Sequence, residues 1–300
     1  MSLIEDLVFR LSRRAIRRQD PEFSKPTSTY GAYQTWRNEE LLSQYRSHFS
    51  EKEVAAKDVL DFGCGSGELS LLCAHDWGAR HVTGTDLNAR GIATAKEKAA
   101  QLGLREKTTF FAAGASNAIS LPSSSQDVIL CFDVMEHVLD YREIIPEWHR
   151  VLRPGGQVLI FWIVWMHPYG HHLHSMIPLP WVHLIVPEET LLRVSARIYE
   201  LPEFRPRYWH LDGKGEPKPN PYAGQKSLGH LNRLTTAVFD RIARQAGFLV
   251  HQHREPFQGG RLRWLKKGLV HLPPPFRDMF CSSFVYRLTK PVGAKASKDG

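Results

Sequence analysis

Cysteine is scarce in this 300-residue chain, and the four present, Cys64, Cys73, Cys131 and Cys281, never pair as CxxC. That scatter argues against a disulfide framework and a thiolate zinc site, and it suits a reducing compartment. Long apolar runs are missing too. None reaches the roughly 18–20 residues that a membrane span needs. The longest are Val158–Met166 and Ile177–Val186, and the second is broken by Pro178, Pro180 and His183. The N-terminus does not read as a signal peptide, because acids come early and no small-residue cleavage site follows. A soluble, cytoplasmic protein is the expectation. With 42% hydrophobic and 23% charged residues, the composition excludes wholesale disorder. Lys and Arg number 39 against 31 acids, a net charge of +8. This permits an anionic partner without requiring one.

Residues 3–18 read as an amphipathic helix, with Ile4, Leu7, Val8, Leu11 and Ala15 at helical spacing and Arg10, Arg13, Arg14 and Arg17 mostly on the other face. Such a helix suits either peripheral contact with a membrane surface or packing on the domain with a solvated basic face. A loop is expected at 19–29 and a second helix at 36–49. From Lys57 strands and helices alternate. Strands are expected at 59–62, 81–85, 108–112, 127–133 and 156–166. Helices are expected at 67–75, 90–102 and 141–152. This alternation implies a parallel sheet with helices on both faces. Residues 167–233 break the pattern. A helix at 235–246, capped by Thr235 and stopped by Gly247, and strands near 248–253 and 279–288 complete it.

The sharpest motif is Val59-Leu60-Asp61-Phe62-Gly63-Cys64-Gly65-Ser66-Gly67, an apolar strand running into a glycine turn and then a helix. Glycines let the backbone bend tightly and approach a ligand closely. The next strand ends in Asp86, an acid able to bind a ribose diol. A dinucleotide fingerprint would need glycine at position 68, which is Glu68, and no GK[ST] element marks a phosphate loop. The motif instead resembles motif I of class I S-adenosylmethionine-dependent methyltransferases. So do Asp86, the run Asp133-Val134-Met135-Glu136-His137-Val138 and the run Leu152-Arg153-Pro154-Gly155-Gly156, in that order. The resemblance covers about residues 55–166 and 235–290.

It implies a Rossmann-like α/β fold with a seven-stranded, mostly parallel sheet and an antiparallel last hairpin. The chain then divides into an N-terminal helical segment (1–54), the cofactor-binding core (55–166), an inserted lid after the fifth strand (167–233), the rest of the core (234–290) and a tail (291–300). It implies S-adenosylmethionine as cofactor, with S-adenosylhomocysteine as product. Gly63, Cys64, Gly65 and Gly67 would line the loop beneath it, and Asp61 would orient that loop. Asp86 would hold the ribose, Leu87 would lie against the adenine, and Cys131, Phe132 and Asp133 would stand at the methionine end. Relatives carry G-D-A where this chain has Gly114-Ala115-Ser116, so the adenine contact passes to Ser116 or Asn117. Cys64 reads as a packing residue rather than a reactive thiol, and Glu136 and His137 as structural.

Methyl transfer from a sulfonium is an in-line displacement. The protein mainly positions the acceptor, excludes water and, where needed, accepts a proton. Residues 167–233 are placed to be the lid. Five of the 15 histidines, His167, His171, His172, His174 and His183, lie within 17 residues at its start. The first four are the candidates to orient or deprotonate an acceptor. The alternatives are packing within the lid and metal ligation, and against the latter stand the absence of an HExxH element and the presence of Pro168 and Gly170. Tyr30, Tyr33, Trp36, Tyr169, Arg207, Tyr208, His210, Asn232 and Arg233 are candidate substrate contacts. Glu188 reads as a charge at a helix start. The expected acceptor is a small organic molecule, first through oxygen. The rival acceptor is RNA or DNA, on account of the charge and of Asn220-Pro221-Tyr222. That element resembles one that follows the fourth strand in nucleic-acid amino methyltransferases, but it lies far downstream here, and no separate nucleic-acid-binding module is visible.

Overall fold

The computed structural model describes residues 2–16, 39, 42–114, 119–204, 206, 210–212, 216–256 and 268–293. Seven strands form one sheet: β1 (Asp58–Phe62), β2 (His81–Asp86), β3 (Thr108–Ala112), β4 (Gln126–Phe132), β5 (Leu152–Trp162), β6 (Leu249–Pro256) and β7 (Cys281–Thr289). Their order is β3-β2-β1-β4-β5-β7-β6. The first five pair in parallel, and β7 runs antiparallel to both β5 and β6. The helices are α1 (Leu3–Ile16), α2 (42–48), α3 (Glu68–His75), α4 (Ala89–Gln101), α5 (Tyr141–Val151), α6 (Glu188–Tyr199) and α7 (Thr236–Gln245).

Alternate residues of the central strands feed two cores. Val59, Val128, Leu130, Phe132 and Phe161 face one side, with Tyr45, Phe49, Trp77 and the apolar stripes of α3 and α4. Leu60, Ile129, Cys131, Ile160 and Trp162 face the other, with Trp148 of α5 and Phe239 of α7. A third cluster lies in the inserted segment, where Leu173, Met176, Ile177, Leu191, Leu192, Val194 and Ile198 pack together with Val8 of α1.

Two features differ from the sequence expectation. The fifth strand runs from Leu152 to Trp162 rather than from Gly156 to Met166, and its start is early because Leu152 already pairs with Gln126 before an irregularity in register and regular pairing from Gln157. Thr235 stands at the N-cap of α7 but makes no side-chain cap bond. The buried Asp278 carboxylate takes that role instead, accepting from the Thr236 amide at 3.0 Å and its hydroxyl at 2.8 Å.

At the start of the strands, Asp58 and Asp127 are bridged by Arg80 and Arg153. The Arg80 guanidinium holds the Asp58 carboxyl below the usual range, with Arg153 adding to it. The opposite edge, where β1, β2, β4 and β5 all end, is free to build a site. The carboxyl ends of parallel strands are where open α/β sheets bind ligands.

Candidate active site

The glycine turn leaves β1 with three alternate residues in the left-handed region: Gly63 at φ +78°, Gly65 at +56° and Gly67 at +83°. A side chain at Gly63 would meet Val134 at 2.3 Å, and one at Gly67 would meet Ala95 at 2.8 Å. Gly65 differs, since a Cβ there would meet nothing within 4 Å. The turn is therefore packed against α4 and the segment after β4 but open at Gly65, as a backbone approached by a ligand must be. The Gly63 and Cys64 amides donate to the Thr85 carbonyl at 2.8 and 3.0 Å. The Asp86 carboxylate accepts from the Gly65 amide and from the Asn88 amide, both at 2.8 Å. Asn88 caps α4 through the Arg90 and Gly91 amides. Asp86 thus stands directly against the turn, its carboxylate keeping lone pairs for further donors. Leu87 beside it is 79% exposed, an apolar side chain presented to the same edge.

Asp61 is buried and accepts the Ser70 hydroxyl at 2.6 Å. Burial pushes its carboxyl up to about 7, against the lowering by Ser70 and aided by the nearby Glu68 and Asp86 charges. The Cys64 thiol is raised by burial first and by Asp61 and Asp86 after it, so it stays protonated at neutral pH and is a packing group. Cys131 is fully buried on the α5 side of β4. Phe132 is buried on the other side, stacked with Phe161 and Tyr45. Asp133 ends the strand at φ +52°, its amide donating to the Phe161 carbonyl at 3.0 Å. That uncommon conformation turns the chain across the edge of the sheet.

The segment after β4 is held by a strap. Asn232 donates its amide to Glu136 and its side chain to the Val138 carbonyl, and its Oδ1 accepts from the Leu234 amide. Arg233 pairs with Glu188 and lies over the Trp165 ring at 5.1 Å. Glu188, at the start of α6, also accepts from the Leu228 amide at 2.9 Å. Asn232 and Arg233, expected as substrate contacts, here tie the inserted segment to the segments after β4 and β5. His210 is buried, bonded to the Tyr222 hydroxyl at 2.8 Å and ringed by Tyr199 and Phe204. Asn220 donates to Ala196 and Glu200 at the end of α6, far along the chain from β4.

The clustered histidines of the inserted segment separate into two groups. His167 is buried, with Nδ1 accepting from the Tyr169 amide. Fully buried His171 accepts from the Leu173 amide at 2.9 Å and packs on His183 at 5.0 Å, and His183 donates to the Trp165 carbonyl. Tyr169 stands between the rings of His167, His171 and His174, and His174 is exposed. Gly170 is the pivot, since a Cβ there would strike the Trp165 carbonyl at 2.1 Å. His172 points elsewhere. Its backbone is left-handed, φ +55°, and its ring meets His137 edge-on at 5.4 Å. His137 in turn stacks on His230 at 5.9 Å. Burial, then His137, His174, His230 and His167, lowers the His172 imidazole to about 3. Burial lowers His167 to about 4 and His171 to about 3.

Sequence reasoning missed His137 and His230 as companions of His172. From the sequence His137 reads as structural, and three residues 35 to 93 positions apart give no local signal. Tyr30, Tyr33, Trp36, Ser116, Asn117, Arg207 and Tyr208 lie outside the described residues. Among the described residues, the His, Cys, Asp and Glu side chains close enough to share one metal ion are His48, His253 and Glu255, none of them in the lid.

A seven-stranded sheet reversed only at β7, a glycine turn after β1, an acid ending β2 and a turn residue ending β4 define the class I S-adenosylmethionine-dependent methyltransferase fold. Residues 59–156 match the methyltransferase domain family, and the chain carries such a domain. A probable S-adenosylmethionine-dependent methyltransferase of Mycolicibacterium smegmatis is 33% identical over 125 residues, 42% of this chain and 44% of that protein. A ubiquinone biosynthesis O-methyltransferase of Aromatoleum aromaticum is 33% identical over 105 residues, 35% of this chain and 43% of that protein. The match thus spans less than half the length of these relatives. The crystal structure of geranyl diphosphate C-methyltransferase from Streptomyces coelicolor shares the fold, with a TM-score of 0.51 at 13% identity over 84% of this chain and 81% of that one. The family uses S-adenosylmethionine as cofactor. The residues present fit it, because Gly65 opens onto space, Asp86 has acceptor capacity beside it and Leu87 offers an apolar face. No helix among the described residues is long and apolar enough to cross a membrane.

Proposed function

We propose that the protein transfers a methyl group from S-adenosylmethionine to a small organic acceptor, oxygen first, beneath the lid of residues 167–233. The cofactor, when bound, supplies an activated methyl group. Gly63, Gly65 and Gly67 would cradle it, Asp86 would accept from its ribose and Leu87 would cover its adenine. The relatives named for ubiquinone and geranyl diphosphate act on small molecules, which supports the enclosed-acceptor reading.

The observation that carries the site assignment is the approach of His172 to His137 and His230 at the edge where β4 and β5 end. His172 and His230 come from the two ends of the inserted segment and His137 from the core, so closure of that segment on the sheet brings the three together. A general base works best with a pKa near the operating pH. At about 3, the His172 imidazole is neutral throughout the physiological range and a weak base. Its role is therefore to accept a hydrogen bond and orient the acceptor hydroxyl. Misplacing a reacting group by about 1 Å costs on the order of 10²-fold.

The test begins with methyl-labelled cofactor and a cell extract, fractionated into polar small molecules, lipids, nuclease-sensitive polymer and protein. Label is expected in one of the first two fractions, and label released by nuclease overturns the reading. With that acceptor fraction, His172→Ala is expected to lower kcat on the order of 10²-fold. Its S-adenosylhomocysteine affinity should stay unchanged. A kcat within about twofold of wild type would remove His172 from the site. Asp86→Ala should weaken cofactor affinity more than about tenfold, since charge-assisted hydrogen bonds are lost.

A further inference from the structure

Helix α1 sits in the fold with its apolar face outward. Leu3, Ile4, Leu7 and Leu11 are 91%, 53%, 57% and 45% exposed. At helical spacing these four fall within an arc of about 100°. The side turned inward is mixed. Val8, Ser12 and Glu5 are buried there. The Glu5 carboxylate lies between Arg193 at 3.1 Å and Arg197 at 3.2 Å of α6. Asp6 also meets Arg197, Arg13 meets Glu203 at 2.7 Å, and the Arg197 guanidinium covers the Phe9 ring at 4.1 Å. A buried carboxylate is costly unless paired. Rolling α1 to hide its leucines would strip Glu5 of both arginines, so the outward stripe is held in place by the polar face.

The charge on that stripe is one-sided. Both acids of the helix are engaged with α6, and exposed Arg14 lies within the same arc, with exposed Arg10 at its border. We infer that α1 is a docking surface for an anionic lipid bilayer, lying in the interface plane. Leu3, Ile4, Leu7 and Leu11 would enter the headgroup–acyl boundary, and Arg10 and Arg14 would reach back to lipid phosphates. A second copy of the chain is the poorer occupant. Pairing two such stripes would set two Arg10–Arg14 pairs along one apolar seam with no acid to meet them. This inference does not depend on the methyl-transfer reading. It places the lid, through α6, beside the membrane.

The test is flotation of the full chain with phosphatidylcholine vesicles, with and without phosphatidylglycerol. Binding is expected only with the anionic lipid and should weaken with salt. Leu7→Gln with Leu11→Gln should reduce the bound fraction on the order of tenfold, and Arg10→Gln with Arg14→Gln should abolish the salt dependence. All four side chains are exposed, so each variant should keep the wild-type melting shift with S-adenosylhomocysteine. That readout separates loss of docking from loss of fold or cofactor site. Equal flotation of wild type and both variants, or none by the wild type, would overturn the inference. So would a wild-type dimer in sedimentation that the leucine pair converts to monomer without any vesicle binding.

Discussion

Gly63 is the residue on which the cofactor turn depends most. Its φ of +78° and its 2.3 Å approach to the Val134 side chain leave room for no Cβ. Gly63→Ala combines left-handed strain with a steric conflict, each on the order of 1–3 kcal/mol. A lowered melting temperature and weakened S-adenosylhomocysteine binding are expected. Gly65→Ala, open on its Cβ side, should spare stability more than binding, and calorimetry of the two variants would show that split. The grouping of Asp61, Gly63, Gly65, Gly67 and Asp86 around one turn was legible as a motif, because a turn this tight leaves a local signature of glycines and flanking acids. The His137–His172–His230 grouping was not, because rings brought together from three distant segments leave no spacing to read.

Among the elements, α7 shows how tertiary structure overrides local chemistry. Thr235 is a favoured N-cap type, yet its side chain makes no cap bond, and Asp278 from the turn before β7 reaches the Thr236 amide instead. A fully buried carboxylate held by Arg277 and two Thr236 groups outcompetes a local hydroxyl. Asp278→Ala should cost about 1–3 kcal/mol, because it leaves a buried amide unsatisfied. Thr235→Ala should cost little, and denaturant titrations of both variants check the contrast. The order and kind of the strands and helices of the core were readable, since burial of both sheet faces imposes their periods. The early start of β5 was not, because Leu152 joins the ladder through its partner Gln126 rather than through its own pattern.

For the whole molecule, two sheet cores and a separate lid cluster imply two levels of stability. Burial lowers four histidines of the inserted segment: His167 to about 4, His171 and His172 to about 3, and His183 as well. A histidine whose pKa is lower folded than unfolded contributes stability that is full above its unfolded value near 6.5. That stability is lost as pH falls toward the folded value, because the unfolded chain binds more protons in that window. The lid should therefore open selectively as pH drops from about 6.5 toward 4. Hydrogen exchange should show amides of 167–186 losing protection before those of β1, β4 and β5. Equal loss in both regions would show that the lid and core open together.

By itself the sequence determined the fold class and the glycine turn that follows the first strand. Those follow from local periodicity and from a turn whose geometry admits few residue types. Only the tertiary structure decided which lid histidine meets the core, which polar groups became struts between lid and sheet, and which face of α1 looks outward. Helical spacing on α1 shows an apolar stripe but not its direction. The buried pairing of Glu5 with Arg193 and Arg197, nearly 190 residues away, turns that stripe to the outside.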